Sequence, residues 1–218
     1  MNARRLRNIE KAAQITAEIF RDTRKYIKPG ISEAELAGKL ESRIRKNGLK
    51  RSFRTIVASG ANAAKPHAVP TKRRIKKRDT VVVDFGVIYR GEHSDMTRTV
   101  LVGKPAVLAK RAYRAVKDAQ AEAIGSVRAG VKISYLAKLS HDVLRRRGFG
   151  RNILHSLGHG IGKRVHEPPK VSEKNGRTLK AGTVITIEPG LYFRGRGGLR
   201  IEDMALVTKK GKRLLTRG

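Results

Sequence analysis

KPGISEAELAGKLESRIRKNGL (28–49) and RAGVKISYLAKLSHDVLRRRGF (128–149) align without a gap at an offset of one hundred residues. Gly30 falls on Gly130, Ile31 on Val131, Leu36 on Leu136, Ala37 on Ala137, Arg45 on Arg145 and Gly48 on Gly148. Self-similarity of this kind marks a duplicated structural unit. Each segment is preceded by a helical pattern, roughly 4–27 and 106–127. In the first, Leu6, Ile9, Ala13, Ile15 and Ile19 recur near helical spacing. A glycine is expected to end each pattern, after Pro29 in the first half and Ala129 in the second. Ser32 and Glu35 have capping-box spacing ahead of the next helix, and Gly48 is placed to stop it.

The tails also correspond, with small gaps. TVVVDFGVIY (80–89) resembles TVITIEPGLY (183–192), which puts Asp84 over Glu188. SDMT (94–97) resembles EDMA (202–205), which puts Asp95 approximately over Glu202. Each half therefore reads helix, helix, strands. The chain is expected to be one α+β domain over 1–218, built from pseudo-symmetric halves at 1–103 and 104–208.

A carboxylate that closes a run of β-branched residues sits at the end of a buried strand, where an unpaired charge is costly. Two matched pairs of such acids, facing across a pseudo-two-fold axis, call for a cation. His159 lies near them in a glycine-packed turn, HSLGHGIG. Asp84, Asp95, His159, Glu188 and Glu202 offer too many hard ligands for one divalent ion. They suit two ions sharing bridging carboxylates, a pair that activates water and polarises the carbonyl it attacks.

Composition limits the alternatives. Fifty Lys+Arg stand against eighteen Asp+Glu, a formal net charge of +32. Such a field either serves solubility by self-repulsion or gives weak association with a polyanion such as RNA or a ribosome surface. The basic residues are spread along the chain, densest at 72–78, 145–147 and 209–213, without interleaved aromatics for base stacking. There is no cysteine, which excludes disulfides and thiolate metal sites. No apolar run reaches membrane-spanning length, and the basic start carries Glu10 and Glu18 within a helical pattern, so a cytoplasmic protein without a leader is expected.

Five stretches carry a family resemblance: SGANAAKPHAVP (59–70), VVVDFGVIYRGEHSDMTRTVLVG (81–103), HSLGHGIGKRVHEPP (155–169), ITIEPGLY (185–192) and GGLRIEDMALVT (197–208). With the repeat they span essentially the whole chain. The sequence resembles the creatinase/aminopeptidase superfamily, and within it the Xaa-Pro dipeptidases (prolidases) and Xaa-Pro aminopeptidases. The resemblance implies a pita-bread fold around a curved antiparallel sheet and hydrolysis of Xaa-Pro bonds by water activated between two metals. Mn²⁺ or Co²⁺ is expected, with Fe²⁺ and Zn²⁺ as the other candidates.

Carried over by position, Asp84 would bind one metal through both oxygens, Asp95 and Glu202 would bridge, and His159 and Glu188 would complete the second site. Glu188 would also shuttle the proton. His67 would approach the scissile amide from the opposite wall, and His166 would support the carbonyl oxygen. His155 and Arg200 match the leaving-group side of the proline-directed enzymes, where cations could hold a substrate carboxylate. His93 and His141 fall outside these roles and are read as structural or surface residues.

Methionine aminopeptidases share the ligand set and typically have this single-domain shape, without the N-terminal domain that prolidases carry. His155 and Arg200 favour the proline-directed reading. The remaining alternative is a non-catalytic module that binds RNA or a ribosome through its charge. A peptide substrate and a homodimer are the partners implied. In the GHGIG turn, Gly158 and Gly160 are expected to take conformations barred to other residues, and Gly197 and Gly198 to form a bend or bulge.

Overall fold

The structure, a computed structural model, describes residues 2–216; Met1 and the last two residues of the expected domain lie outside the described residues. The first half runs α1 (Ala3–Arg24), α2 (Glu33–Lys46), β1 (Lys50–Arg51), β2 (Ile56–Ser59), β3 (Thr80–Phe85), β4 (Val87–Tyr89), β5 (Glu92–His93) and β6 (Met96–Leu101). The second runs α3 (Val107–Ser126), α4 (Ile133–Arg146), β7 (Gly158–Gly160), β8 (Glu167–Val171), β9 (Val184–Ile187), β10 (Gly190–Phe193), β11 (Gly197–Arg200), β12 (Asp203–Val207) and β13 (Lys212–Leu214). The helix–helix–strand order thus appears twice, and α2 and α4 occupy the aligned positions of the repeat.

The halves share their helix anchorage as well as their order. Gly30 N–H donates to Ile75 O and Gly130 N–H to Leu179 O, each at 2.9 Å. Glu33 N–H donates to Arg73 O and Ile133 N–H to Arg177 O. Ala34 N–H donates to Thr71 O and Ser134 N–H to Asn175 O. In both halves the first turn of the second helix is therefore tied to a loop that returns from the sheet. This satisfies backbone donors that a helix start would otherwise leave open.

The long helices end sooner than their glycines suggest. After Arg24 the chain closes with Tyr26 N–H to Thr23 O and Ile27 N–H to Arg24 O, and after Ser126 Val127 turns extended to bury its side chain. Gly30 and Gly130, both at positive φ, serve the turn into the next helix instead.

Every strand ladder among the described residues is antiparallel, with sheet orders β2-β3-β6, β1-β4-β5, β10-β11 and β13-β12-β9-β7-β8. β3–β4 and β5–β6 form one bent hairpin, with Asp84 opposite Thr97 and Ile88 opposite His93. β9–β10 and β11–β12 form the other, with Ile187 opposite Asp203 and Gly190 opposite Arg200. The helices cover these sheets. Leu36, Leu40 and Ile44 of α2 pack with Val81, Val83 and Phe85, while Leu136 and Ala137 of α4 pack with Ile185, Ile187 and Ala205. α1 also reaches across to the second half, where Ile9 and Ala13 meet Val184, Met204 and Leu206. No helix among the described residues is long and apolar enough to cross a membrane.

The predicted capping box is present: Glu35 N–H donates to Ser32 Oγ at 3.1 Å and Ser32 N–H to the Glu35 carboxylate at 2.7 Å. Lys132 holds the same place before α4 with no side-chain cap. Ser32→Ala should therefore lower the free energy of unfolding by about 1 kcal/mol in urea titration. Lys132→Ala should stay within about 0.5 kcal/mol of the parent.

Candidate metal centre and cleft

The two bent hairpins meet edge to edge, and the acids come from that seam. Glu202 N–H donates to Thr97 O at 3.0 Å, and Arg200 N–H donates to Thr99 Oγ1, which returns a bond to Arg200 O at 2.8 Å. Asp84 lies in β3, Asp95 one residue before β6, Glu188 one residue after β9, and Glu202 between β11 and β12. His159 sits in β7, whose neighbour is β9. All five expected ligands line one cleft, with a volume of about 1360 Å³.

The ladder corrects one detail of the repeat. Asp84 faces Thr97, while Ile201 N–H bonds Pro189 O in the register that sets Glu188 against Glu202. The counterpart of Glu202 is therefore Thr97. Asp95, two residues earlier and on the same face of the pleat, corresponds to Arg200. Residue similarity between SDMT and EDMA overrode a two-residue shift that preserves which side faces inward.

Asp95, His159 and Glu202 bring one ligand atom each within 4.8 Å of one another. His159 Nε2 is 3.3 Å from Glu188 Oε1 and 3.7 Å from Asp95 Oδ2. Its Nδ1–H is directed to Gly160 O at 3.0 Å, which leaves the Nε2 lone pair facing the carboxylates, where a cation could be shared between them. Asp84 Oδ1, Asp95 Oδ1 and Glu202 Oε1 are buried without a hydrogen-bond partner. Four carboxylates share this space with one buried guanidinium, that of Arg200. Unpaired, acceptor-only oxygens beside an imidazole lone pair fit hard divalent cations.

The protonation tendencies express the same charge imbalance. Burial, followed by repulsion from Glu202, Asp84 and Glu188, raises Asp95 well above the ordinary carboxylate range. Burial, then Glu188 and Asp84, does the same to Glu202. Burial pushes Glu188 up to about 7, with Arg200 opposing and Asp84 reinforcing. Burial lowers His159 to about 4, helped by the adjacent His166.

His67 and His166 stand exposed on the cleft walls, and the His166 ring lies 4.3 Å from that of His159, centre to centre. His155 and Arg200 also line the cleft, joined through a residue that sequence reading passed over. Tyr192 O–H donates to His155 Nε2 at 2.8 Å and accepts from Arg200 at 2.7 Å. Arg200 also donates to Asp84 Oδ2 at 2.6 Å, to Thr97 Oγ1 at 3.1 Å and to Pro66 O at 3.1 Å. Its guanidinium thus ties Asp84, Thr97, Tyr192 and the loop at Pro66 together at the cleft wall. Thr97 and Thr186 were missed too: Thr97 donates to Glu202 at 2.7 Å, and Thr186 Oγ1 takes the His159 N–H and donates to Glu188 at 3.2 Å. Their one trace in the sequence is a hydroxyl in a buried β-run.

His141 is buried on α4 with Nδ1 2.5 Å from Glu173, and His93 lies on β5, away from the cleft lining. Gly158 and Gly160 have no positive φ; a Cβ there would lie 2.1 Å from Thr186 O and 2.3 Å from Pro168 O, so close approach is what requires them. Gly198 likewise sits in a regular ladder, and its Cβ would lie 2.0 Å from Ala63 O.

Residues 7–209 match the profile of metallopeptidase family M24. The chain is 41% identical over 210 residues to an Xaa-Pro dipeptidase of Pyrococcus horikoshii, covering 96% of this chain and 60% of that protein. Among solved structures it superposes on an Xaa-Pro dipeptidase from Bacillus anthracis with a TM-score of 0.97 at 38% identity, covering 100% of this chain and 61% of the other. An X-Pro aminopeptidase from Thermotoga maritima gives 0.96 at 36% identity, with 100% and 62% covered. The chain therefore spans about three fifths of the length of these relatives.

The buried acids set a pH dependence. Burial holds His155 and His159 down to about 4, so both are neutral in the folded chain above about pH 6.5, while the unfolded chain sheds its remaining histidine protons over roughly the next pH unit. The folded, metal-free protein still holds protons on carboxylates that the unfolded chain has already released. Its stability must then fall as pH rises through about 7, where Glu188 ionises. Thermal melts of chelated protein from about pH 6.5 to 8 should show a falling midpoint, and the gap to Mn²⁺-loaded protein should widen, because ligation needs ionised carboxylates. A gap that narrows with pH would contradict this electrostatic account.

Proposed function

Because the chain belongs to metallopeptidase family M24, we propose that it hydrolyses the Xaa-Pro bond of dipeptides or of the N-termini of short peptides with the help of two divalent cations. The observation that carries this reading is the set of unpartnered carboxylate oxygens beside His159 Nε2 at the floor of a cleft walled by His67 and His166. Asp84, Asp95, His159, Glu188 and Glu202 would hold the ions, with Mn²⁺ or Co²⁺ suited to this oxygen-rich set. When bound, the ions would supply an acidified water and a polarised carbonyl.

The protein groups do the rest. Glu188 takes the proton of the attacking water and returns it to the proline nitrogen, which must be protonated to leave as an amine. His166 donates to the oxygen that gains negative charge, and His67 steadies the amide from the facing wall. Arg200, bonded to both Asp84 and Tyr192, fixes a metal ligand and the leaving-group wall together. His155 completes that wall through Tyr192. The Xaa-Pro relatives support the proline-directed reading over removal of initiator methionine. The +32 charge supports a salt-sensitive attraction to polyanions such as RNA as an added property.

The test is a peptide set: an Xaa-Pro dipeptide, a longer Xaa-Pro peptide and a Met-Ala-Ser peptide, each with Mn²⁺ or Co²⁺ and with chelator. Metal-dependent cleavage of Xaa-Pro bonds is expected, and the two lengths separate dipeptidase from aminopeptidase. His67→Ala should lower kcat about a hundredfold without loss of bound metal. Cleavage after methionine alone would replace the reading with a methionine aminopeptidase. No cleavage at all would favour a binding module.

A further inference from the structure

We propose that Glu33 is a positioning residue for His67: it fixes the loop that carries this histidine into the cleft. The inference rests on the peptidase reading above for the role of His67.

Glu33 opens α2 and is fully buried, an unusual place for a carboxylate. Among the described residues it makes no direct ion pair, and the nearby Arg73 reaches Ser59 Oγ rather than the carboxylate itself. Glu33 accepts five hydrogen bonds instead: from Ser59 N–H at 2.7 Å, Ser59 Oγ at 2.8 Å, Asn62 Nδ2 at 2.9 Å, Thr71 N–H at 3.0 Å and Thr71 Oγ1 at 2.6 Å. These donors bracket the loop from the end of β2 to residue 71, and His67 lies inside the bracket. One of them leads further in: the Asn62 amide also donates to Val69 O at 3.2 Å, two residues beyond His67. From the opposite side Arg200 holds Pro66 O. The exposed His67 is thus carried on a loop pinned at its base by Glu33 and at its tip by Arg200.

Comparison with the other half separates this role from general helix anchorage. The backbone ties of α2 and α4 to their loops correspond bond for bond, yet the residue at the Glu33 position of α4 is Ile133, buried in the apolar core. An apolar residue therefore suffices to seat the helix. The second half's returning segment also bears a cleft histidine, His166, but there the β7–β8 ladder holds it, whereas the His67 loop is held through the Glu33 carboxylate.

The experiment is a double-mutant cycle. Glu33→Gln keeps the shape but turns an amide N–H₂ toward donors. It should lower kcat/KM about tenfold to a hundredfold in the parent, the range expected of a misplaced catalytic group. In a His67→Ala background the same change should cost less than about twofold, because the group it positions is gone. Bound metal should be unchanged in every variant. Amide exchange should quicken across residues 60–71 and not in α4. Equal losses in both backgrounds would overturn the proposal, as would unchanged exchange in the loop. If Glu33→Gln does not fold, Thr71→Val removes one of the same bonds from the exposed loop side, and the same two outcomes decide. A parent protein inactive on every peptide would sink the peptidase reading instead, while the exchange measurement would still judge the Glu33 anchor.

Discussion

Negative charge crowded into a dry seam is the constraint on which the structure turns. Four carboxylates converge where two bent hairpins meet, and among the described residues Arg200 is the one buried cation beside them. In a low-dielectric interior such a cluster repels itself strongly. The fold tolerates it by backing the acids with donors whose positions the sheet fixes: Thr97 behind Glu202, Thr186 behind Glu188 and Arg200 behind Asp84. These contacts satisfy one side of three of the four carboxylates; Asp95 has no such donor among the described residues. The other side faces the cleft, which is where cations fit.

Pseudo-symmetry brings the charge together, and departures from it make the charge usable. The ladder sets Thr97 where the other half has Glu202, and Asp95 where the other half has Arg200. Doubling the first half's set would give four acids and no guanidinium, and doubling the second's would give four acids and two; the actual seam sets one guanidinium among four acids. One exchange supplies a neutral donor, and the other a positive charge. The same logic distinguishes Glu33, which holds the His67 loop by hydrogen bonds, from Ile133, which fills a core.

Much of this was legible before any coordinates. The gapless helical repeat predicted α2 and α4 at matching places, and acids closing β-branched runs predicted the cluster, because burial makes an unpaired carboxylate there expensive. Local reading failed where meaning depends on the partner across a ladder. SDMT and EDMA look alike as strings, but register decides that Thr97, not Asp95, faces as Glu202 does. Arg200 was legible as a cleft cation, but its bonds to Asp84 and Tyr192 were not, because both partners lie across the fold or the ladder. Tyr192 itself reads as the apolar end of a strand. The glycines of the histidine turn were recognisable, but the reason for them is a neighbouring carbonyl rather than a twisted backbone.

The ligands are also divided between the halves: Asp84 and Asp95 come from the first, His159, Glu188 and Glu202 from the second. Neither half could grip an ion well alone. A nascent chain with only its first hundred residues folded would be harmless to other polypeptides, and cations would lock the two halves only after both had closed. If these five residues hold the ions, metal uptake would follow the closing of both halves rather than precede it.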